Sequence, residues 1–298
     1  MKYYISVDLG GTALKYAWMN EEAEILEHGE VPSPKSAEAL KEDLMSLYRK
    51  YGNQAEALVM SAPGRIDSAR SYFYTGGALT YLKDVSLAEL LQGDMPLPLS
   101  LENDAKAAAL AEMWKGSMKG IANGTVIVIG TGLGGSIIID GKLYRGTRFT
   151  AGEYSFLSGN YQKPYRLETS TGMEGVGSLL RRYGKRVGED PETLNGRIFF
   201  ERAGQGQQEA LDALHEYCSV LTNLILSLQA VLDTERVAVG GGISRQPLLI
   251  EVLKEEVHQA YKAAADIVPY AEPDITACTF GNDANLIGAL YHFLYEMR

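Results

Sequence analysis

Along residues 4–19, apolar and polar positions alternate on both sides of a glycine pair. Ile5 and Val7 alternate with Ser6 and Asp8, which predicts a half-buried strand ending on a carboxylate. Gly10-Gly11-Thr12 then predicts a tight turn whose backbone N–H groups face outward with no side chain in the way. Leu14, Tyr16 and Trp18 alternate with Ala13, Lys15 and Ala17, a second strand. Such a hairpin can cradle a phosphate, with Asp8 in reach of a bound Mg²⁺. The pattern returns at 125–140, where an apolar strand, the turn Gly130-Thr131-Gly132-Leu133-Gly134-Gly135 and another apolar strand follow in order. Two such hairpins predict a duplicated architecture with a nucleotide held between similar halves.

Elsewhere the period lengthens to that of helices. Ser36 starts a helix with Leu40, Leu44, Leu47, Tyr48 and Tyr51 on one face, and Gly52 stops it. A buried strand at 55–60 leads into Ser61-Ala62-Pro63-Gly64, and 65–80 reads as loop with short strands. A short helix at 86–91 and a strand at 97–101 precede a helix at 105–115 capped by Asn103 or Asp104. Past a polar, glycine-bearing link at 116–124, Asp140-Gly141 signals a turn into 142–145. Residues 150–170 are irregular and polar. Helices follow at about 175–183 and 191–203, and a long amphipathic one at 207–232. A strand at 237–239 runs into Gly240-Gly241-Gly242. A helix at 246–264, a strand at 275–280 and a helix at 283–297 complete an α/β alternation. The expected lobes are 1–117, rejoined by the last helix at 283–298, and 118–282.

Composition narrows the chemistry. The 298 residues are 46% hydrophobic and 22% charged, with a net charge of −10, which argues against nucleic acid or an anionic membrane as partner. No apolar run approaches the ~20 residues of a membrane span. The first strand begins at the very start of the chain, leaving no signal peptide. Cys218 and Cys278, the two cysteines, sit in apolar patterns as buried thiols, which suits a reducing, cytoplasmic setting. The four histidines show no metal-ligand spacing. Arg181, Arg182, Lys185 and Arg186 read as a solvated basic face.

Each motif has a plain alternative. Gly130–Gly135 satisfies G-x-G-x-x-G, but a strand follows where a dinucleotide fold requires a helix. No H-R-D or D-F-G accompanies it, so a protein-kinase loop is excluded as well. An ordinary tight hairpin remains the alternative. Asp104, where a strand gives way to a helix, can take the proton of an attacking hydroxyl, or can simply cap the helix. Asn103 beside it can donate and accept hydrogen bonds to a polyol. Glu153 and Glu168 lie in polar segments suited to sugar hydroxyls, or to bare solvent exposure. Gly240–Gly242 would let a flat adenine approach the backbone, or make a strand-to-helix turn.

Asp8-Leu9-Gly10-Gly11-Thr12, Glu102-Asn103-Asp104, Gly130–Gly135, Ala151-Gly152-Glu153 and Gly240–Gly242, in this order over nearly the whole chain, resemble the ROK family of sugar kinases and repressors. The resemblance implies a two-domain, actin-like ATPase (ribonuclease H-like) fold with its active site in an interdomain cleft. It makes Asp104 the catalytic base and Pro63, Gly64, Asn103, Glu153 and Glu168 sugar contacts. Asp8, Gly10, Gly11, Thr12, Lys15, Gly130, Thr131, Gly132 and Gly240–Gly242 become ATP contacts, with Asp8 holding Mg²⁺ directly or through water. Members usually follow Ala-Gly-Glu with a histidine and a cysteine cluster that bind zinc. Here Phe156 takes the histidine's place and 157–167 contain neither His nor Cys, so no zinc is expected. This pattern is most similar to the zinc-less branch that includes β-glucoside kinases, and Phe156 would stack on a second sugar ring or an aglycone. Too few residues precede Asp8 for a repressor's helix-turn-helix. The expectation is ATP-dependent phosphorylation of the 6-hydroxyl of a glucose unit, in a β-glucoside such as cellobiose. Its rivals are a kinase for glucose, fructose or N-acetylmannosamine and a sensor without turnover. The expected partners are sugar and ATP, with room left for a homodimer.

Overall fold

The computed structural model describes residues 1–297 except 92, 161, 167, 169, 268 and 270. It divides into two compact units, the first made of residues 1–116, 145–151 and 282–298, the second of 117–144 and 152–281.

The first unit is built on a five-stranded sheet. Strands β1 (Tyr3–Leu9), β2 (Ala13–Asn20) and β3 (Ile25–Pro32) form an antiparallel meander, and α1 (Ala37–Tyr51) crosses to β4 (Ala55–Ala62), parallel to β1. Short strands β5 (Ile66–Asp67), β6 (Tyr72–Phe73) and β7 (Val85–Ser86) make a separate three-stranded sheet. After α2 (Leu87–Leu91), β8 (Leu99–Asn103) joins the main sheet parallel to β4, and α3 (Asp104–Lys115) follows without a break. The sheet order is β3-β2-β1-β4-β8.

Strand β1 is buried on both faces, not one as the alternation predicts. Ile5, Val7 and Leu9 pack with Leu40 and Leu44 of α1, while Tyr4 packs with Leu286 and Leu290 of the C-terminal helix (Ala284–Tyr291). Ser6 lies fully buried because its hydroxyl donates to the Leu286 carbonyl at 2.8 Å. A small hydroxyl with a partner costs little in a core.

The second unit repeats the plan. Strands β9 (Gly124–Ile129), β10 (Leu133–Ile139) and β11 (Lys142–Tyr144) form an antiparallel meander. Helices α4 (Val176–Val187), α5 (Gly196–Gly204) and α6 (Gln208–Leu232) precede β12 (Arg236–Gly241), which lies parallel to β9. Helix α7 (Pro247–Ala263) leads to β13 (Asp274–Ala277), giving the order β11-β10-β9-β12-β13. Leu214, Cys218, Leu221, Ile225 and Leu228 of α6 join Ile127, Val239 and Leu253 in one core. Arg182 departs from the solvated face expected of it, since Glu174 and Glu216 bind its guanidinium at 2.9 and 3.2 Å. Among the described residues no helix is long and apolar enough to cross a membrane.

Candidate active site

In the first unit the glycine turn between β1 and β2 closes with Gly10 N–H donating to the Ala13 carbonyl at 2.9 Å. Ser33, which the sequence reading passed over, buttresses it: its hydroxyl donates to the Gly10 carbonyl at 2.7 Å and its N–H to that of Thr12 at 3.0 Å. Gly11 and Thr12 are exposed, and Lys15 stands directly opposite Asp8 across the β1–β2 pair.

Asp8 is largely buried, yet neutral donors hold it. Its Oδ1 accepts from the Ser61 hydroxyl at 2.8 Å and from the Asn285 amide at 3.0 Å. These partners orient the carboxylate without neutralising it, so the donor set fits a hard cation such as Mg²⁺. Ser61 ends β4, and Asn285 comes from the C-terminal helix, a partner that no local pattern announces.

Asn103 and Asp104 sit at the junction of β8 and α3. The Asn103 carboxamide oxygen caps α3, accepting from Lys106 N–H at 3.1 Å. Its Nδ2 donates to the Gly64 carbonyl at 3.1 Å and to Asp104 Oδ1 at 3.0 Å. Ala105 N–H reaches the same Oδ1 at 2.8 Å. Asn103 is therefore the cap, and Asp104 is the first helical residue, its carboxylate held by these donors among others. Gly64, which follows Pro63, meets this pair through its carbonyl and adopts φ +103°. A Cβ there would stand 2.1 Å from the Thr75 carbonyl oxygen and 2.7 Å from Gly77 N. Gly64→Ala is expected to cost about 1–3 kcal/mol of stability and to lower turnover by shifting Asn103. Thermal melting and kcat measured together check this; an unchanged melt would show that the loop yields freely.

Behind this pair lies a polar cluster with no counterpart in the sequence reading. Glu102, fully buried, accepts from Asn103 N–H at 2.7 Å through Oε1. Its Oε2 accepts from Arg145 Nε at 2.8 Å and Nη2 at 2.5 Å. Arg145 Nη2 also donates to Glu296, to which His292 Nδ1 lies at 3.1 Å. Burial raises the Glu296 carboxyl, but His292 and Arg145 outweigh it and leave the group below its usual range. Burial disfavours the charged Arg145, and its two carboxylates reverse that, holding it protonated. Glu102, His292 and Glu296 converge closely enough to ligate a metal, but the Arg145 guanidinium already binds both carboxylates.

In the second unit the turn at Gly130–Gly132 closes with Gly130 N–H donating to the Gly132 carbonyl at 2.9 Å. The N-terminus of α4 abuts it, a neighbour also missed from sequence. Val176 N–H donates to the Gly130 carbonyl at 2.9 Å, and a Cβ on Gly175 would lie 2.1 Å from the Thr131 oxygen. A helix N-terminus beside a glycine turn favours an anion. Gly240 and Gly241 extend β12 rather than following it, pairing with Val128 and Ile129. Gly241 has φ +96°, and its missing Cβ would meet the Ile129 oxygen at 2.1 Å. Gly242 faces open space.

Glu153 is placed by its neighbours. Gly152, at φ +84°, packs on Gly135 of β10, and Tyr154 is buried against Thr125. Burial pushes the Tyr154 hydroxyl up to about 12, so it stays neutral. Phe156 is 59% exposed, and Glu168 is exposed as well. Leu167 and Thr169 beside it lie outside the described residues. The structure thus brings Asp8 and the first glycine turn together, Asn103, Asp104 and Gly64 together, and the second glycine turn together with α4.

The ROK family model matches residues 4–295. The chain belongs to the ROK family. A β-glucoside kinase of Listeria monocytogenes is 32% identical over 303 residues, covering 97% of this chain and 96% of its own. The solved ROK family protein from Streptococcus pneumoniae TIGR4, in complex with sucrose, superposes with a TM-score of 0.87 at 28% identity, covering 99% and 98% of the two chains. The ROK glucokinase from Streptomyces griseus, in complex with glucose and AMPPNP, gives 0.79 at 25% identity, covering 97% and 98%. The fold is the actin-like ATPase fold of ROK sugar kinases, and the chain is a carbohydrate kinase.

Proposed function

We propose that this ROK kinase transfers the γ-phosphoryl group of ATP to the 6-hydroxyl of a glucose unit in a β-glucoside such as cellobiose. The observation that carries the reading is the Asn103–Asp104 pair, fixed against Gly64 at the start of α3. Asp104 accepts the proton of the attacking hydroxyl, and Asn103 with Glu153 and Glu168 binds the sugar. Phosphoryl transfer asks mainly for positioning and charge neutralisation. Gly10–Thr12, Lys15, Gly130–Gly132 and the α4 N-terminus would receive the phosphates, and Gly240–Gly242 the adenosine. Asp8 would hold Mg²⁺, which when bound offsets the phosphate charge.

The substrate class is supported by the similarity to β-glucoside kinases and by Phe156, whose exposed ring stands where the family usually has a zinc-binding histidine. With no His or Cys in 157–167, the reading uses no zinc. The Streptomyces glucokinase favours a second reading, free glucose as acceptor. A panel of cellobiose, aryl β-glucosides, glucose, fructose and N-acetylmannosamine with Mg-ATP, read by ADP release, decides between them. Cellobiose or an aryl β-glucoside should give the highest kcat/KM. Glucose used far better than either would end the glucoside reading, and no ADP release with any sugar would favour a sensor.

A further inference from the structure

We propose that Tyr74, Phe149 and Arg65 form the subsite for the part of a β-glucoside that is not phosphorylated, a second pyranose or an aryl aglycone. This rests on the glucoside reading above and gives the second ring a place other than Phe156.

Four observations within the first unit converge. The Tyr74 and Phe149 rings stack, with centroids 6.3 Å apart and planes 26° from parallel, and Tyr72 meets Tyr74 edge-on at 5.1 Å. Both Tyr74 and Phe149 are only partly buried, so the stack reaches the surface rather than closing into a core, even with Arg65 over the Tyr74 ring. The Arg65 guanidinium lies 4.4 Å over the Tyr74 ring, and no side-chain donor of Arg65 has a hydrogen-bond or carboxylate partner among the described residues. Phe149 holds φ +62°, a backbone region that a bulky residue rarely adopts and that is strained for it. An aromatic ring kept under that strain, partly exposed, invites a role in binding.

The shelf is joined to the site through short links. Arg65 follows Gly64, whose carbonyl accepts from Asn103, and its own carbonyl accepts from Tyr74 N–H at 2.9 Å. Phe149 belongs to the segment that Arg145 ties to Glu102, the residue before Asn103. Both arms of the shelf are thus anchored to the strand end that presents Asn103 and Asp104. An aromatic stack edged by a cation with uncommitted donors suits a second pyranose, whose C–H face would lie on the stack, at the Phe149 ring that Arg65 does not cover, while its hydroxyls accept from guanidinium. An aryl aglycone would use the ring face alone.

The test compares Tyr74→Leu and Phe149→Gly with the unaltered enzyme on cellobiose, an aryl β-glucoside and glucose. Phe149→Gly relieves the positive φ, so it stays folded even if Tyr74→Leu does not. Each variant should lose about tenfold more kcat/KM on the glucosides than on glucose, mostly through KM. Equal loss on all three acceptors, or a selective loss produced by Phe156→Ala and by neither shelf variant, would overturn the subsite and leave the glucoside reading standing. If the unaltered enzyme rejects every β-glucoside, that reading fails and the subsite falls with it.

Discussion

Asp104→Asn lowers kcat by about 10²- to 10⁴-fold while leaving the sugar dissociation constant within a few-fold of the original. Asparagine keeps an oxygen where Oδ1 now accepts from Asn103 Nδ2 and Ala105 N–H, so the local hydrogen bonds survive. It removes the basicity that, in the proposed reaction, takes the hydroxyl proton. It also removes a negative charge from the first turn of α3, worth roughly 0.3–1 kcal/mol of stability, too little to unfold the unit. Steady-state ADP release and sugar titration by calorimetry separate the two quantities. Turnover within a few-fold of the original would mean that Asp104 is only the opening residue of a helix.

Glu102→Gln produces the second large effect, on stability. Glu102 exposes 1% of its side chain and Arg145 20%, so the guanidinium would be left with Glu296 alone. Breaking a buried pair from one side typically costs about 3–5 kcal/mol. The exposed pair Lys50–Glu27 gives the contrast, since solvent screens it and Glu27→Gln should cost far less. Urea unfolding of both variants checks the ratio, and equal small losses would show that water reaches the cluster. The same cluster sets an acid limit. Glu296 has its carboxyl lowered from 4.5 in the folded state. Its contribution is therefore complete above that unfolded value and is lost as pH falls through the lowered one. In the Glu296→Gln variant that part of the acid dependence should vanish.

The two glycine hairpins were legible because alternation and glycine placement are local signals. So were α1, with Ser36 as its cap, and the buried stripe of α6. What misled was burial: β1 alternates like a half-covered strand, yet it is covered twice, because Ser6 can hide its hydroxyl on a backbone carbonyl. Strand β3 went unread because Ile25–Pro32 is an edge strand, mostly exposed, with the polar run Glu27-His28-Gly29-Glu30 giving no alternation. At the far end, 283–297 keeps helical periodicity, while the backbone changes to a π-helix at His292–Glu296. Within the site, adjacent residues such as Asn103 and Asp104 could be named from sequence. Arg145, Asn285 and Ser33 could not, since each meets its partner across a long stretch of chain, and no periodicity encodes such a meeting.

The C-terminal helix covers β1 and supplies Asn285 to Asp8, which constrains the order of events on the ribosome. Translation delivers the amino-terminal sheet first, but one of its faces stays bare until the helix Ala284–Tyr291 emerges. The middle of the chain, a contiguous unit apart from 145–151, can condense while that sheet still waits for its lid. The half encoded first is therefore the half completed last. A ribosome stalled before that helix is made would hold a molecule whose Asp8 lacks its Asn285 partner and whose sheet has an open apolar surface, the kind of intermediate that chaperones bind.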